Sequence, residues 1–301
     1  MEAIKDITKA KKEILASIER FGFLPEHNYY HYLYRQSSKK KCIFFDFGQQ
    51  KGLMALLNPE INVWYVTCEL LAPESERLEL FMEFLEHAFT KEKAKKVSVE
   101  FGEAFKEKVC EAVKKSDFKT SMNFELYWPV CNVGAWDENL RGKEWKKFRN
   151  IRNRFMNSFK IEIEDPKKLD KKILKSVLTA WLKHRHPRDR VDYKYYLNLI
   201  ENNLEGFDMA RSLSFDGEVC SISAGWKIPN SSAFYLGIGI FNYRHKDMGD
   251  FINLDDLLHL KKLGYTKIDL GGSDKAILNF KNKFNPEKVY KTCIFSILRK
   301  R

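Results

Sequence analysis

A cationic turn in the last third of the sequence combines residue types that can bind phosphate. Arg244 and Lys246 follow the apolar run 233–241, and Gly249 lies just before a predicted helix over 251–263. The first N–H groups of a helix attract anions, and charge-assisted hydrogen bonds from cationic side chains strengthen such a contact. We therefore predict a phosphate-binding site at these three residues. The alternative is an exposed basic turn that binds nothing.

Two further lysines lie in the next predicted helix. Lys281 and Lys283 stand between Phe280 and Phe284, which are four residues apart and share one helix face. The lysines lie away from that face and can reach a phosphate or an acyl carbonyl. A solvated helix face is the alternative.

Polar residues and glycines end the strand-like run before this helix. Asp269, a candidate catalytic residue, is followed by Gly271 and Gly272, which are candidates for binding the donor, and Asp274 comes shortly after. Glycines at a strand end let a backbone or a ligand approach closely, and Asp274 has the charge to orient an amine. A simple turn after a strand would have the same composition.

Two tyrosines near these segments carry hydroxyl groups that can protonate a leaving group. They are Tyr235, within the apolar run, and Tyr243, in the cationic turn. No Ser-His-Asp or Cys-His set has suitable spacing. This favours direct attack by a bound amine, a reaction that mainly requires positioning and an oriented carbonyl.

A strongly basic helix is predicted over 143–155. It carries Lys143, Lys146, Lys147, Arg149, Arg152 and Arg154, interleaved with Trp145, Phe148 and Phe155. Lys147, Arg149 and Arg152 are candidates for contact with a substrate or with a nucleic-acid backbone. The alternative is a helix that holds its aromatic residues in the core, with arginines around them.

The segment 184–190, His-Arg-His-Pro-Arg-Asp-Arg, is predicted to be a loop because Pro187 disfavours helix at the residue before it. Arg185, Arg188 and Arg190 are candidates for binding an acidic substrate group. The two histidines have no third ligand at suitable spacing, so no metal site is predicted.

Length and charge limit the class of protein. The 301 residues suffice for two domains of about 150 residues, and 44% of them are hydrophobic, which argues against a disordered chain. A net charge of +12 favours an anionic partner such as nucleic acid, a phosphorylated cofactor or an anionic membrane surface. A lysine-rich protein with solvated charges is the alternative.

The cysteines and the apolar runs bear on the compartment. Six cysteines are scattered without a C-x-x-C pair, mostly in apolar strand-like runs. No apolar run approaches the ~20 residues that span a bilayer, and the charged start of the chain lacks the features of a secretory signal. We therefore expect a reducing, cytoplasmic environment.

The predicted elements follow one order twice. Both halves are predicted to close with strand, helix, strand, helix and two strands, the first by residue 130 and the second by residue 298. A helix is also predicted over 1–20, a short strand over 30–34, a helix over 193–201 and a hairpin turn at Asp216–Gly217. The order places the chain in the α/β class, with a mixed sheet and flanking helices in each half.

Three segments of the second half carry a more specific pattern. They are LRGKEWKKFRNIRNRF (140–155), FDGEVCSISAG (215–225) and DLGGSD with LNFKNKFNP (269–286). They resemble the GNAT-like C-terminal domain of phosphatidylglycerol lysyltransferases and, more distantly, the Fem-type aminoacyltransferases. The first half is matched only by element order and length.

The resemblance implies two tandem GNAT-like domains, which we place at 1–135 and 136–301. In that fold the turn after the fourth strand receives the pyrophosphate of an acyl donor. The corresponding turn of the first half, 72–77, is acidic and suited to capping a helix. The donor site is therefore expected in the second half.

The resemblance also implies transfer of an aminoacyl or acyl group, from an aminoacyl-tRNA or an acyl-CoA, to an amine or a hydroxyl. An aminoacyl-tRNA is preferred because Gly249 alone remains of the several glycines that bind CoA in related turns. The alternatives are a CoA-dependent N-acyltransferase and a non-catalytic protein that binds nucleic acid or anionic lipid.

Overall fold

The computed structural model describes residues 1–185 and 191–300, which form one large mixed sheet with helices on its faces. The strands are β1 (Glu2–Ile4), β2 (Lys41–Gly48), β3 (Lys51–Asn58), β4 (Val63–Val66), β5 (Lys96–Gly102), β6 (Phe118–Asn132), β7 (Ile161–Glu164), β8 (Met209–Phe215), β9 (Glu218–Val219), β10 (Ser221–Lys227), β11 (Ala233–Phe241), β12 (Lys267–Asp269) and β13 (Lys288–Arg299). The helices are α1 (Lys11–Phe21), α2 (Tyr29–Arg35), α3 (Arg77–Glu86), α4 (Glu103–Lys114), α5 (Lys146–Ser158), α6 (Lys171–Lys183), α7 (Tyr193–Glu201), α8 (Met248–Lys262) and α9 (Lys275–Lys281).

The strands follow one another in the order β1-β2-β3-β4-β5-β13-β6-β12-β11-β10-β8-β7, and β9 pairs with β8. Two neighbouring pairs, β4–β5 and β11–β12, are parallel, whereas the other pairings are antiparallel. Each parallel pair is joined by a crossover helix, α3 in one case and α8 in the other. The mixed α/β class predicted from the sequence is therefore confirmed, and both halves contain the same parallel unit.

The expectation that each half has a sheet of its own is not met. Each half ends in one long strand, and these two strands, β6 and β13, pair with each other from Phe118↔Arg299 to Val130↔Lys288. The other edge of β13 pairs with β5, and the other edge of β6 pairs with β12. Sharing the two strands leaves no open edge where the halves meet. The division at 135/136 thus separates the halves in sequence but not in the sheet.

Each half has its own apolar packing around its parallel pair. In the first half, Phe45 and Trp64 of the sheet contact Phe84 of α3. In the second half, the cluster around β11 and β12 includes Phe234 together with Leu257 of α8, and both are fully buried. These cores fix the two crossover helices against the parallel strands.

The first residues differ from the sequence prediction. Residues 2–4 form a strand paired with β2, so helix α1 begins only at Lys11. The predicted strand at 30–34 is helix α2, because the Asn28 side chain accepts a hydrogen bond from the His31 N–H and caps the helix. No helix within 1–185 and 191–300 is long and apolar enough to cross a membrane.

Candidate active site

The parallel strands of the second half separate after a short paired stretch. Ala233–Tyr235 of β11 pair with Lys267–Asp269 of β12, after which β12 ends and β11 continues to Phe241. The gap opens into a cavity of about 720 Å³, the strand cleft, which is lined by β11, the first turn of α8 and α9. The cleft lies where the resemblance places an acyl donor.

Gly249 lies in the first turn of α8 and lines the strand cleft. A Cβ atom at this position would come within 2.6 Å of the Phe241 ring. The glycine is therefore also needed for helix α8 to pack against β11, a requirement that the sequence does not reveal.

Two carboxylates occupy the start of α8, where phosphate was predicted to bind. Asp250 is 2% exposed, and its oxygens accept hydrogen bonds from Lys283 Nζ at 2.9 and 3.1 Å. Lys147 Nζ lies 3.7 Å from the same carboxylate. Asp247, the residue before the helix, pairs with Arg154 at 2.9 Å. Carboxylates at a helix N-terminus are stabilised by its positive partial charge, so these groups take the place expected for an external anion.

Most of the predicted cationic residues around the start of α8 form ion pairs within the protein. Lys283 and Lys147 are directed at Asp250 rather than at open solvent. Arg244 forms an ion pair with Glu218, while the Lys246 side chain is exposed beside the cleft. Lys246 therefore remains accessible to a phosphate. Arg244 would have to release the Glu218 carboxylate before it could bind one.

Lys281 reaches the end of β12 instead of the helix start. Its Nζ donates hydrogen bonds to the carbonyl oxygens of Leu270 and, at 2.9 Å, of Gly271. The residue lines the strand cleft, and burial lowers the pKa of its ammonium group to about 8. Two of the three N–H groups are used by these carbonyls, and one is left for a group in the cleft.

Asp269 secures the same turn from the other side. It is 2% exposed, and its carboxylate accepts hydrogen bonds from the Gly271 N–H at 2.7 Å and from the Tyr290 hydroxyl at 2.7 Å. Burial raises the pKa of Asp269 to about 6. Gly271 has φ +83°, a left-handed conformation that favours glycine. Asp269 and Lys281 thus hold the turn at the base of the cleft.

The two candidate tyrosines lie at different depths. The Tyr235 ring contacts the Trp226 ring with centroids 4.9 Å apart. Burial raises the pKa of Tyr235, so its hydroxyl stays protonated at neutral pH. Tyr243 is 36% exposed at the mouth of the strand cleft and stacks on His184 at 4.8 Å. Tyr243 lines the strand cleft, whereas Tyr235 lines a second cavity and approaches the cleft only at the Gly271 turn, where a Cβ atom built on Gly271 would lie 3.3 Å from the Tyr235 hydroxyl.

A second cavity, the inter-half cavity, lies on the other side of the separating strands. It encloses about 960 Å³ and is lined by α2 and β6 of the first half and by α7, Tyr235 and residues 272–275 of the second. Gly237, Gly272 and Asp274 line both cavities, which therefore adjoin where the strands part. Sequence analysis did not find this cavity, because its walls come from distant segments of the chain.

The remaining predicted basic residues are spread over several surfaces. Arg149 donates to the carbonyl oxygens of Leu140 and, at 2.7 Å, of Gly142, and so braces the loop before α5. Arg152 lines a separate cavity beside Arg211, away from the strand cleft. The Arg185 guanidinium lies 5.1 Å from the Trp181 ring centroid, and Arg185 lines both cavities. Arg188 and Arg190 lie outside the described residues.

Comparison of the sequence with protein-family models and with curated proteins finds no match. Solved structures are similar. L-PGS from Bacillus licheniformis has a TM-score of 0.69 at 15% identity, covering 99% of this chain and 93% of that one. FemX has a TM-score of 0.60 at 12% identity, covering 97% of both chains. A tandem GNAT protein from the clavulanic acid biosynthesis pathway has a TM-score of 0.59 at 9% identity, covering 99% and 98%.

These similarities extend over nearly the whole chain, and the suspected structural resemblance is confirmed. The chain has a GNAT fold. In particular, its full-length arrangement is similar to that of L-PGS, FemX and the tandem GNAT protein. At such low identity the comparisons establish the fold and leave the chemistry to the site itself.

Proposed function

We propose that the protein is an aminoacyltransferase or acyltransferase that binds its donor in the strand cleft of a C-terminal GNAT-like domain, residues 136–301. The observation that carries the proposal is the position of Lys281, whose buried ammonium group lies at the turn where the parallel strands separate. A donor inserted between the strands would bring its carbonyl group to this turn. The N-terminal domain, residues 1–135, lacks a comparable cationic turn and contributes to the acceptor side.

In the proposed reaction an acceptor amine or hydroxyl attacks the donor carbonyl carbon. A new C–N or C–O bond forms, and the bond to the tRNA oxygen or the CoA sulfur breaks. Lys281 stabilises the negative charge that develops on the carbonyl oxygen, an effect that is strong at a partly buried site. Tyr235 supplies the proton that the leaving group takes up and regains one from the attacking amine or hydroxyl, and Asp269 positions the Gly271 turn.

An aminoacyl-tRNA is the donor we favour. Asp247 and Asp250 add negative charge at the start of α8, which opposes a pyrophosphate at that position. Lys246, Arg244 and Gly249, together with the exposed faces of α5, would instead meet a nucleic-acid backbone along its length. A CoA-dependent N-acyltransferase is the second candidate, supported by the open cleft between the strands.

The test compares Lys281→Met with Lys262→Met, which removes a lysine from the last turn of α8. Deacylation of a charged-tRNA pool is followed by acid gel in the presence of a mixture of small amines and hydroxy compounds, and thiol release from acetyl-CoA is followed in parallel. We expect Lys281→Met to lower the dominant rate about 100-fold, the usual effect of removing an oxyanion ligand. Lys262→Met should retain the parental rate.

The pH profile gives a second readout. Because Lys281 acts in its protonated form, the parental rate should fall as the pH rises through about 8, the pKa of this group. Lys281→Arg should move the fall to higher pH. Equal rates for Lys281→Met and the parent, or a parental rate that rises through this range, would contradict the proposed role.

A further inference from the structure

The inter-half cavity contains cationic and polar groups that the proposed donor chemistry does not use. Helix α2 of the first half contributes His31 and Arg35, which are four residues apart and lie on one face of the helix. Opposite them are Tyr195 and Tyr196 of α7. The cavity therefore joins a charged wall from one half with an aromatic wall from the other.

Arg35 has no ion-pair partner within the described residues. Its guanidinium lies 5.7 Å from the centroid of the Tyr195 ring, and no carboxylate of residues 1–185 or 191–300 comes within 4.0 Å of it. Arg35 is half-buried in the wall of the cavity, where it loses part of its hydration and has no carboxylate at ion-pair distance. An anionic group of a ligand would offset that loss.

His31 adds an unpartnered nitrogen beside Arg35. The residue is 4% exposed, its Nδ1 lies 3.3 Å from the Tyr195 hydroxyl, and its Nε2 has no hydrogen-bond partner. Burial and the neighbouring Arg35 lower the pKa of His31, so the ring is neutral at neutral pH. When Tyr195 donates to Nδ1, Nε2 carries the proton and is a buried donor without an acceptor, which is rare in folded proteins.

The surrounding charges favour a monoanion over a phosphate dianion. Glu26 and Glu100 are buried nearby, and burial raises the pKa of both carboxyl groups. Arg35 attracts the ionised form of both groups, so they compete with a ligand for the guanidinium and would repel a dianion more strongly than a monoanion whenever they are charged. Asp274, by contrast, lies on the boundary between the two cavities and has a carboxylate suited to an ammonium group.

We propose that the inter-half cavity is the acceptor site and that the acceptor is a small amine that also carries a carboxylate. Arg35 and His31 bind the carboxylate, and Asp274 directs the amine through the opening between Gly237 and Gly272 toward the donor carbonyl. This assignment rests on the proposed function for its catalytic meaning. The binding of the amine itself can be measured without a donor.

The experiment uses the full chain and thermal shift, followed by calorimetry for the compounds that stabilise it. The probes are the free amino acids, ω-amino acids, and the carboxamide of each, together with inorganic phosphate and phosphatidylglycerol vesicles. We expect at least one carboxylate to stabilise the protein while its carboxamide does not. Arg35→Gln should weaken that binding about tenfold or more, since hydrogen bonds between charged groups are stronger than those between neutral groups.

Two controls separate binding from folding. Arg20→Gln removes an exposed guanidinium from α1 of the same half and should bind the carboxylate like the parent. Arg35→Lys keeps the charge but loses the planar pair of donors, and an intermediate affinity is expected. The unliganded melting temperature of every variant is measured, and His31→Phe provides an independent removal of a donor if Arg35→Gln does not fold.

The outcomes distinguish this proposal from the proposed function. Equal stabilisation by carboxylates and carboxamides would overturn it, and so would stabilisation by phosphate or vesicles alone. Absence of stabilisation by every carboxylate would overturn it even if transfer to other amines is detected. Carboxylate binding that depends on Arg35, in a protein that transfers nothing from tRNA or CoA, would support the pocket and reject the transferase reaction.

Discussion

Gly271 is held from both sides by residues that the sequence singled out for other reasons. Asp269 accepts a hydrogen bond from its N–H, and Lys281 donates one to its carbonyl oxygen. Asp269 was predicted as a catalytic residue and Lys281 as a ligand of phosphate. The structure places both around one peptide at the base of the strand cleft, and the proposed reaction therefore assigns Asp269 a positioning role and Lys281 the direct contact.

A residue-scale prediction concerns the space that Tyr235 occupies. A Cβ atom at Gly237 would come within 2.4 Å of the Tyr235 ring, whereas one at Gly239 would meet no atom within 4 Å. We expect Gly237→Ala to displace the ring and to lower the free energy of unfolding by about 1–3 kcal/mol, the usual cost of overpacking. Gly239→Ala, on the same strand, should change it by less than about 0.5 kcal/mol. Urea unfolding compares the two, and equal effects would contradict the packing argument.

A second residue-scale prediction follows from the pKa of Asp269. The folded-state value of about 6 lies above the ordinary value of 3.8, so the folded protein binds the proton more tightly than the unfolded chain. The resulting stabilisation is complete below pH 4 and is lost as the pH rises through 6. At about 1.4 kcal/mol per pKa unit, the loss is about 3 kcal/mol. Asp269→Asn keeps the hydrogen-bonding shape and should lack this change when unfolding is measured from pH 4 to pH 7.

At the scale of the element, helix α8 carries a buried carboxylate in the turn that lines the strand cleft. Its first turn lines the strand cleft, yet Asp250 lies buried there between Lys283 and Lys147. Further along, Asp256 of the helix pairs with buried Arg211 of β8 at 2.9 Å. The helix is thus fixed to its surroundings by ion pairs in its first turn and near its middle, and its N-terminus is only partly available to a ligand anion.

This arrangement predicts how CoA binding responds to a single charge. Asp250→Asn removes the carboxylate, so Lys283 and Lys147 can contact a ligand phosphate instead. The affinity for CoA, measured by calorimetry, should therefore rise about fivefold, equivalent to about 1 kcal/mol. Glu79→Gln, in the first turn of α3 of the other half, is the matched control and should have no effect. Unchanged CoA binding in both variants would place the donor phosphates away from α8.

At the scale of the molecule, the last strand belongs to the core of the first half. β13 lies between β5 and β6, and its Cys293, Phe295 and Ile297 are at most 1% exposed within the first-half core. The two halves therefore share part of one core. Unfolding of one half is expected to expose apolar core residues of the other half.

The shared strand predicts that residues 1–135 alone will not fold cooperatively. Without β13, the edges of β5 and β6 lose their partners and the core loses three buried side chains. Near-UV circular dichroism should be weak and urea unfolding broad. Joining residues 288–300 to the fragment through a flexible linker should restore both signals. A sharp transition in the fragment without β13 would show that the strand is dispensable.

The sequence by itself determined the class of fold and the part of the chain that holds the candidate site. Apolar periodicity is a local signal that can be read without knowledge of the fold. The same holds for the Asp216–Gly217 turn, where both residues have positive φ, and for the strand end at Gly271–Gly272. The helix over 193–201 was predicted at its observed bounds. Helix α2 was not predicted, because its aromatic residues are typical of a strand and Asn28 is its only local helix signal.

The tertiary structure alone decided which side chains meet. In the sequence, Asp250 resembles an ordinary acidic residue at the start of a helix. Its contact with Lys283, 33 residues away, exists only in the folded structure. Likewise, the position of β13 between two strands of the other half depends on a pairing partner more than 150 residues distant, which no local pattern encodes. The inter-half cavity has the same origin, because His31 and Tyr195 become neighbours only when the shared strands join the two halves.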